Sequence, residues 1–230
     1  MSDLPQLQVN GYALPAGTLS EKLRQRLCRS LEANTKAAGR RNLFDERPET
    51  RELLRDPLIT QLINSTLGPD AFVVRATLFD KRPDANWAVT WHQDQAIAVK
   101  EKRDAPGFGP WSVKHGVVHV EPPAAVLAGM VAVRIHLDPC PADNGALVAL
   151  PGSHQMGRTD AETFHRQHPE AEEIVLPVHA GGVLLMKPLT LHRSSKCVAG
   201  GRRRVIHLDC ANTELPQGLA WAINHPFGGG

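Results

Sequence analysis

Several things are scarce in this sequence, and each scarcity excludes an answer. The four cysteines (Cys28, Cys140, Cys197, Cys210) form no Cys-x-x-Cys pair. That argues against a cysteine zinc cluster or a disulfide framework and fits reduced thiols in a cytoplasmic protein. Charge of one sign is missing too: 26 Lys and Arg stand against 24 Asp and Glu, a net +2. A nucleic-acid or membrane-surface binder needs a basic track that this balance does not supply, so neither partner is expected. No apolar run reaches the roughly 18 residues of a membrane span, and the opening Met-Ser-Asp-Leu-Pro-Gln lacks the basic and apolar blocks of a secretory leader. Aromatic residues make up only 5%, and no internal repeat or low-complexity linker is visible.

What is present suits a folded enzyme-sized chain. With 230 residues, 42% of them hydrophobic, the chain reads as one domain over residues 1–230. Glycine (19) and proline (18) are plentiful, which fits many turns between short strands. Thr18-Leu19-Ser20-Glu21 reads as a capping box. Leu19, Leu23, Leu27 and Leu31 then make one apolar stripe on a helix over about 19–37. A second helical stretch over 49–67 carries Leu53, Leu54, Leu58, Ile59, Leu62 and Ile63, divided at Pro57 and stopped at Gly68-Pro69. Thereafter short apolar runs predict eight strands, at 71–79, 86–91, 116–120, 130–138, 146–150, 173–178, 182–187 and 202–210, with short helices at 123–129 and 160–168. The expected fold class is mostly β with flanking helices: a double-sheet jelly roll over about 70–210, with N-terminal helices (about 18–67) packed on one sheet. The closing Phe-Gly-Gly-Gly reads as frayed.

Eleven histidines are the first sign of chemistry. In Trp91-His92-Gln93-Asp94, residues two apart on a strand project to the same side, so His92 and Asp94 point together. An imidazole beside a carboxylate suits a divalent transition metal, and His192 is the best third ligand. Two histidines and a carboxylate on one face leave positions open, as in non-haem Fe(II) oxygenases. His-x-Asp also occurs at His136-Leu137-Asp138 and His207-Leu208-Asp209. Too little chain separates His136 from His192 for a jelly-roll circuit, and His207 has only His225 downstream. The first pair is therefore preferred.

At this point the sequence resembles the phytanoyl-CoA dioxygenase family. The resemblance rests on Trp91-His-Gln-Asp94, on Asp143-Asn-Gly-Ala-Leu-Val-Ala-Leu-Pro-Gly-Ser-His154, on Leu191-His-Arg-Ser-Ser195, and on an arginine soon after. It runs from about residue 70 to 210. It implies a double-stranded β-helix, Fe(II) at His92, Asp94 and His192, 2-oxoglutarate as cosubstrate and O2 as oxidant. In related iron halogenases a small residue replaces the acidic ligand; Asp94 fills that position here, so oxygenation is expected.

The cosubstrate's distal carboxylate needs a cation, and a guanidinium fork suits it. The family's arginine lies about eleven residues past the distal histidine, which is the spacing of Arg203 from His192. Strand alternation puts Arg203 on the opposite face from Arg202 and Arg204, which are expected to form a solvated basic edge unless a bulge shifts the register. Asn86 and Thr90 share the parity of His92 and are candidates to hydrogen-bond the cosubstrate. Arg134 and His136 alternate together and are candidate substrate-pocket residues. Gln93 and Gln95 are expected to point outward unless the strand ends at His92, Trp91 to sit in the core, and His154 to close its loop. His115, His119, His165, His168, His179, His207 and His225 are given ordinary structural roles. The expected activity is hydroxylation of a small-molecule metabolite with release of succinate and CO2; desaturation or ring formation would use the same ligands. Two other readings are a zinc or manganese hydrolase or cupin-like enzyme without 2-oxoglutarate, for which Arg203 is unnecessary, and a catalytically silent binding protein on the same scaffold. Substrate identity and oligomeric state are not encoded in these motifs.

Overall fold

The computed structural model describes residues 4–32, 39–197 and 201–228. The chain opens with α1 (Leu4–Asn10) and β1 (Tyr12–Ala13). Ser20, rather than Thr18, caps the next helix, α2 (Glu21–Ser30), its hydroxyl accepting from the Leu23 N–H at 3.3 Å. Glu21 does not reach back to the cap. It pairs instead with Arg24 at 2.6 Å, one turn on. Leu23 and Leu27 are buried on α2, and Leu19 and Leu31 continue the stripe just outside it; the rest of the expected 19–37 helix, from residue 33, lies outside the described residues. Next come β2 (Gly39–Arg40), α3 (Leu43–Glu46), a 3-10 turn over Pro48–Arg55 and α4 (Pro57–Leu67). Pro57 divides the second stretch as predicted, because Asp56 caps α4 through the N–H groups of Leu58 and Ile59 at 3.1 and 3.2 Å.

The strands then follow: β3 (Phe72–Lys81), β4 (Val89–His92), β5 (Ile97–Val99), β6 (Trp111–Lys114), β7 (Val117–Val120), β8 (Val131–His136), β9 (Leu147–Ala149), β10 (Ile174–Leu176), β11 (Val183–Met186), β12 (His192–Ser194), β13 (Arg203–Ala211) and β14 (His225–Pro226). Helices α5 (Ala124–Ala128) and α6 (Ala161–Gln167) fall where expected. All eight expected strands form. The shortest pieces, such as β12, carry too few residues for a period to show. Among the described residues every pairing between these strands is antiparallel, and an isolated bridge from Asn42 to Ala76 is parallel. The large sheet has the order β1-β11-β8-β13-β3-β14 with β2 also on β3, a second has β10-β9-β12-β4, and a third β5-β7-β6.

The large sheet explains where the site lies. Its outer face is apolar: Val73, Ala76 and Leu78 of β3, Val131, Val133 and Ile135 of β8, and Ile206 and Leu208 of β13 pack against Leu23, Leu27, Leu53, Ile59 and Ile63 from the helices. Each fully buried aliphatic side chain there contributes roughly 1.5–3 kcal/mol. Alternation then sends Arg75, Thr77, Phe79 and Lys81 of β3, Arg134 of β8, and Arg203, His207 and Asp209 of β13 to the other face. The closing segment is not frayed at its start: Phe227 is buried and Gly228 N–H donates to the Leu54 carbonyl at 2.8 Å, whereas residues 229–230 lie outside the described set.

Candidate metal and cosubstrate site

His92 ends β4, and β12 brings His192 directly opposite it, with Ala149 of β9 on the other side. The two rings stand 4.2 Å apart, tilted by 50°. Asp94 follows on a turn held by its N–H to the Pro188 carbonyl at 2.9 Å. His92 Nδ1 lies 2.8 Å from the Thr90 carbonyl and His192 Nδ1 2.9 Å from the Thr190 carbonyl. A carbonyl only accepts, so each Nδ1 donates and each Nε2 keeps its lone pair. Those Nε2 atoms lie 3.9 Å from Oδ1 and Oδ2 of Asp94 respectively, too far to hydrogen-bond with it. One ligand atom from each of the three residues falls within a 4.8 Å group. This is a donor set suited to one divalent cation.

The electrostatics agree. Burial, opposed in part by Asp94, lowers the His192 pKa to about 4, so its imidazole is neutral near pH 7. Burial pushes Asp94 upward, but the neighbouring His192, His207 and His92 outweigh it and leave the carboxyl below its ordinary value.

Two cavities meet at His92, Asp94, Phe79 and His207. The smaller, about 100 Å³, is also lined by Lys81, Trp87, Val89, Arg134, His192, Ser194 and Arg203. The larger, about 590 Å³, includes Trp91, Gln93, Gln95 and Arg75. Arg203 is buried and enters the smaller cavity; its Nη1 donates to the Gly145 carbonyl, while Nε has no partner among the described residues. Lys81 joins it, with Nζ donating to Ser194 Oγ at 3.1 Å and the Ser195 carbonyl at 2.7 Å. Burial and then the charge of Arg203 bring the Lys81 pKa down to about 8. Arg134, brought down to about 10 first by burial and then by Arg203, places Nη1 2.9 Å from His207 Nδ1. Lys81, Arg134 and Arg203 therefore face one acid, Asp94, in this cavity, an excess of positive charge that suits a dianion.

Some sequence expectations need correction. Asn86 and Thr90 do not line either cavity. The pairing of β12 with β4 shifts register between His192 and Ser194, so β4 carries an extra residue, and Trp87 and Val89 turn inward instead. Asn86 spends its amide on the backbone of Cys197, donating at 2.7 Å and accepting at 2.9 Å. Thr90 is exposed and offers only its carbonyl. Arg134 borders the smaller cavity, but His136 borders neither: it is buried with both ring nitrogens unpartnered among the described residues. The strand ends at His92, and Gln93 turns inward, donating to the carbonyls of Gly157 and Leu189 at 2.8 and 2.7 Å. Trp91 packs near Leu150, Phe164 and Leu191 and also walls the larger cavity. Arg202 and Arg204 are not a solvated edge, because β13 is a central strand. Arg202 pairs with Asp80 at 2.8 Å and Arg204 with Asp138 at 2.7 Å. His207 was missed as a site residue, along with Lys81 and Arg75. Its odd number, shared with Arg203 on one strand, was the available signal.

Antiparallel sheets enclosing two histidines and a carboxylate beside a cationic cavity define a class of mononuclear metal-site protein. The family model of phytanoyl-CoA dioxygenase matches residues 7–205, and the chain belongs to that family. A search of curated protein sequences finds no match. Among solved structures, the non-heme α-ketoglutarate-dependent carbocyclase SnoK from nogalamycin biosynthesis superposes with a TM-score of 0.69 at 16% identity, over 99% of this chain and 93% of that one. The α-ketoglutarate-dependent epimerase SnoN of the same biosynthesis gives 0.68 at 16%, over 98% and 94%. EctD from S. alaskensis, solved with 2-oxoglutarate and 5-hydroxyectoine, gives 0.66 at 15%, over 90% and 74%. These likenesses concern the fold.

Proposed function

We propose that this protein is an Fe(II)- and 2-oxoglutarate-dependent oxygenase on a double-stranded β-helix, hydroxylating a small molecule. The observation that carries the reading is one cavity lined both by the His92–Asp94–His192 donors and by the guanidinium of Arg203, which pairs with no acid among the described residues. Family membership supports it, as does the likeness to an α-ketoglutarate-dependent carbocyclase and to an enzyme solved with 2-oxoglutarate. Iron, when bound, supplies the oxidising chemistry, in which substrate C–H, O2 and 2-oxoglutarate give alcohol, succinate and CO2.

The chain's own residues do the rest. The Thr90 and Thr190 carbonyls hold the two imidazoles with Nε2 turned to the metal. Asp94 supplies the one negative ligand. Arg203 takes the distal carboxylate of 2-oxoglutarate, pre-aimed by the Gly145 carbonyl, with Lys81 and Ser194 completing that end. The apolar walls of Trp87, Val89 and Leu147 keep water from it. The larger cavity, open beside His92 and Asp94, receives the substrate.

Anaerobic addition of Fe(II) and 2-oxoglutarate tests the reading through the weak visible charge-transfer band that their chelate gives. The band should form in the native protein and be lost in His92→Ala, Asp94→Ala and His192→Ala, each of which removes one of three ligands. Retention of near-normal iron affinity in all three variants would put the metal elsewhere.

A further inference from the structure

Away from the metal ligands, five acidic or basic side chains (Arg41, Arg75, Lys114, Glu121 and Asp160) border the 590 Å³ cavity. Three are committed. Arg75 donates to Asp209 at 2.5 Å and to the Ala96 carbonyl at 3.1 Å. Asp160 accepts from the Thr163 N–H at 2.7 Å as the cap of α6, and Glu121 lies 3.8 Å from Arg158. Arg41 and Lys114 make no hydrogen bond or ion pair among the described residues. Arg75 and Glu121 are each balanced by a side chain outside the cavity, whereas a backbone N–H does not cancel the charge of Asp160. Arg41 and Lys114 therefore stand against Asp160, and the balance of this wall is positive by one charge. Arg41 is half-buried, and burial followed by the charge of Arg75 lowers its pKa. A partly desolvated cation without a counterion is costly, and an anionic ligand would recover that cost.

A second observation comes from next door. Arg41 and Arg75 also border a cavity of about 130 Å³ whose wall includes His119. His119 is 2% exposed. Its Nδ1 donates to the Val117 carbonyl at 3.0 Å, which leaves Nε2 as an acceptor, buried and unpartnered among the described residues. The one acid of this wall, Asp45, already pairs with Arg51 at 3.2 Å. The two adjoining cavities thus share an unspent cation and offer one unspent acceptor.

We propose that the molecule oxidised here is a small organic acid. Its carboxylate or phosphate pairs with Arg41, with Lys114 at the exposed side, and a neighbouring hydroxyl or N–H donates to His119 Nε2. This assignment rests on the oxygenase reading and adds the substrate class to it.

The test uses anaerobic enzyme loaded with Fe(II) and saturating 2-oxoglutarate, titrated calorimetrically with two matched pairs: 3-hydroxybutyrate against 3-hydroxybutyramide, and glycerol 3-phosphate against glycerol. At least one anion should bind at least about tenfold more tightly than its neutral partner, the size expected of one charge-assisted contact. The tighter anion assigns carboxylate or phosphate. Arg41→Gln should erase that preference and Arg41→Lys should restore most of it, with the charge-transfer band unchanged in both. If neither anion outbinds its neutral partner in the native enzyme, or if Arg41→Gln keeps the preference, the acid assignment falls while the band remains. Should Arg41→Gln not fold, the matched pairs and Arg41→Lys still decide the question. Absence of the band in the native enzyme overturns the oxygenase reading itself.

Discussion

Arg202, Arg203 and Arg204 carry the same charge on consecutive positions, yet they do different work because a strand alternates its side chains. Arg203 faces the cavity; its neighbours hold Asp80 and Asp138 on the far face. A bidentate carboxylate contact in a partly dry pocket contributes about 2–3 kcal/mol. At ~1.4 kcal/mol per tenfold, Arg203→Ala should weaken 2-oxoglutarate by roughly 30- to 150-fold with iron retained. Arg204→Ala should instead lower the melting temperature, because it leaves Asp138 unpaired, and change 2-oxoglutarate affinity by only a few-fold. Anaerobic titration and thermal melts of the two variants check this. His136 sets a second test at this scale. Burial, then the charges of Arg134 and Arg203, hold its pKa well below the ordinary 6.5. The native ring therefore stays neutral where the unfolded chain takes up a proton. The associated stability is full above pH 6.5 and is lost as pH falls below it, by about 1.4 kcal/mol between pH 7.5 and 5.5 for one such group. His136→Leu should remove that share of the loss, measured by urea unfolding at the two pH values.

At the scale of elements, short irregularities aim the site. The extra residue in β4 sends Trp87 and Val89 to the cavity. The turn before β9 is as particular. Gly145 has φ +71°, and a Cβ there would sit 3.0 Å from the Ser195 carbonyl and 3.6 Å from Arg203 Nη1. Its own carbonyl accepts from Arg203. Gly145→Ala should cost about 1–2 kcal/mol for the left-handed backbone alone and displace the guanidinium. The expected result is weaker 2-oxoglutarate binding with near-native iron affinity, read by the same anaerobic titration. A mutant that melts lower but binds 2-oxoglutarate normally would separate the turn from the arginine.

Across the whole molecule, one sheet serves two purposes. Its outer face seats the helices through aliphatic contact, and its inner face carries charge. The inner charges are held in a chain in which Asp209 accepts from Arg75 at 2.5 Å and lies 3.0 Å from His207 Nε2, while His207 meets Arg134. Burial pushes Asp209 up, but Arg75 and His207 hold it well below the carboxylate range. Asp209→Asn keeps the shape and removes the charge. It should destabilise by about 3–5 kcal/mol, as breaking a buried ion pair does, and free Arg75 to move in the larger cavity. Chemical denaturation measures the first effect, and the anion titrations described above register the second.

Alternation and spacing by themselves determined a good deal of this protein. The helical leucine stripe, the division at Pro57, the eight strands and the inward face of Arg203 all follow from local periods of 3.6 and 2, which a linear sequence carries directly. Alternation pairs His92 with Asp94, although β4 ends at His92 and a turn held on the Pro188 carbonyl is what brings Asp94 to the site. His192 reads from the sequence as the best third ligand, and the motifs that resemble the family agree. Other features depended on the partner strand. Asn86 and Thr90 have the right parity, but an extra residue in β4, visible only against β12, turns them away. Arg204 reads as a surface charge until β13 is known to be central, where Asp138, two residues beyond β8, neutralises it. His207 lies on a strand recognised in the sequence and Lys81 two residues past the end of another, and only tertiary packing shows them converging on one cavity. The charge balance of the two cavities is likewise tertiary, since it depends on which cations have already met an acid distant in sequence.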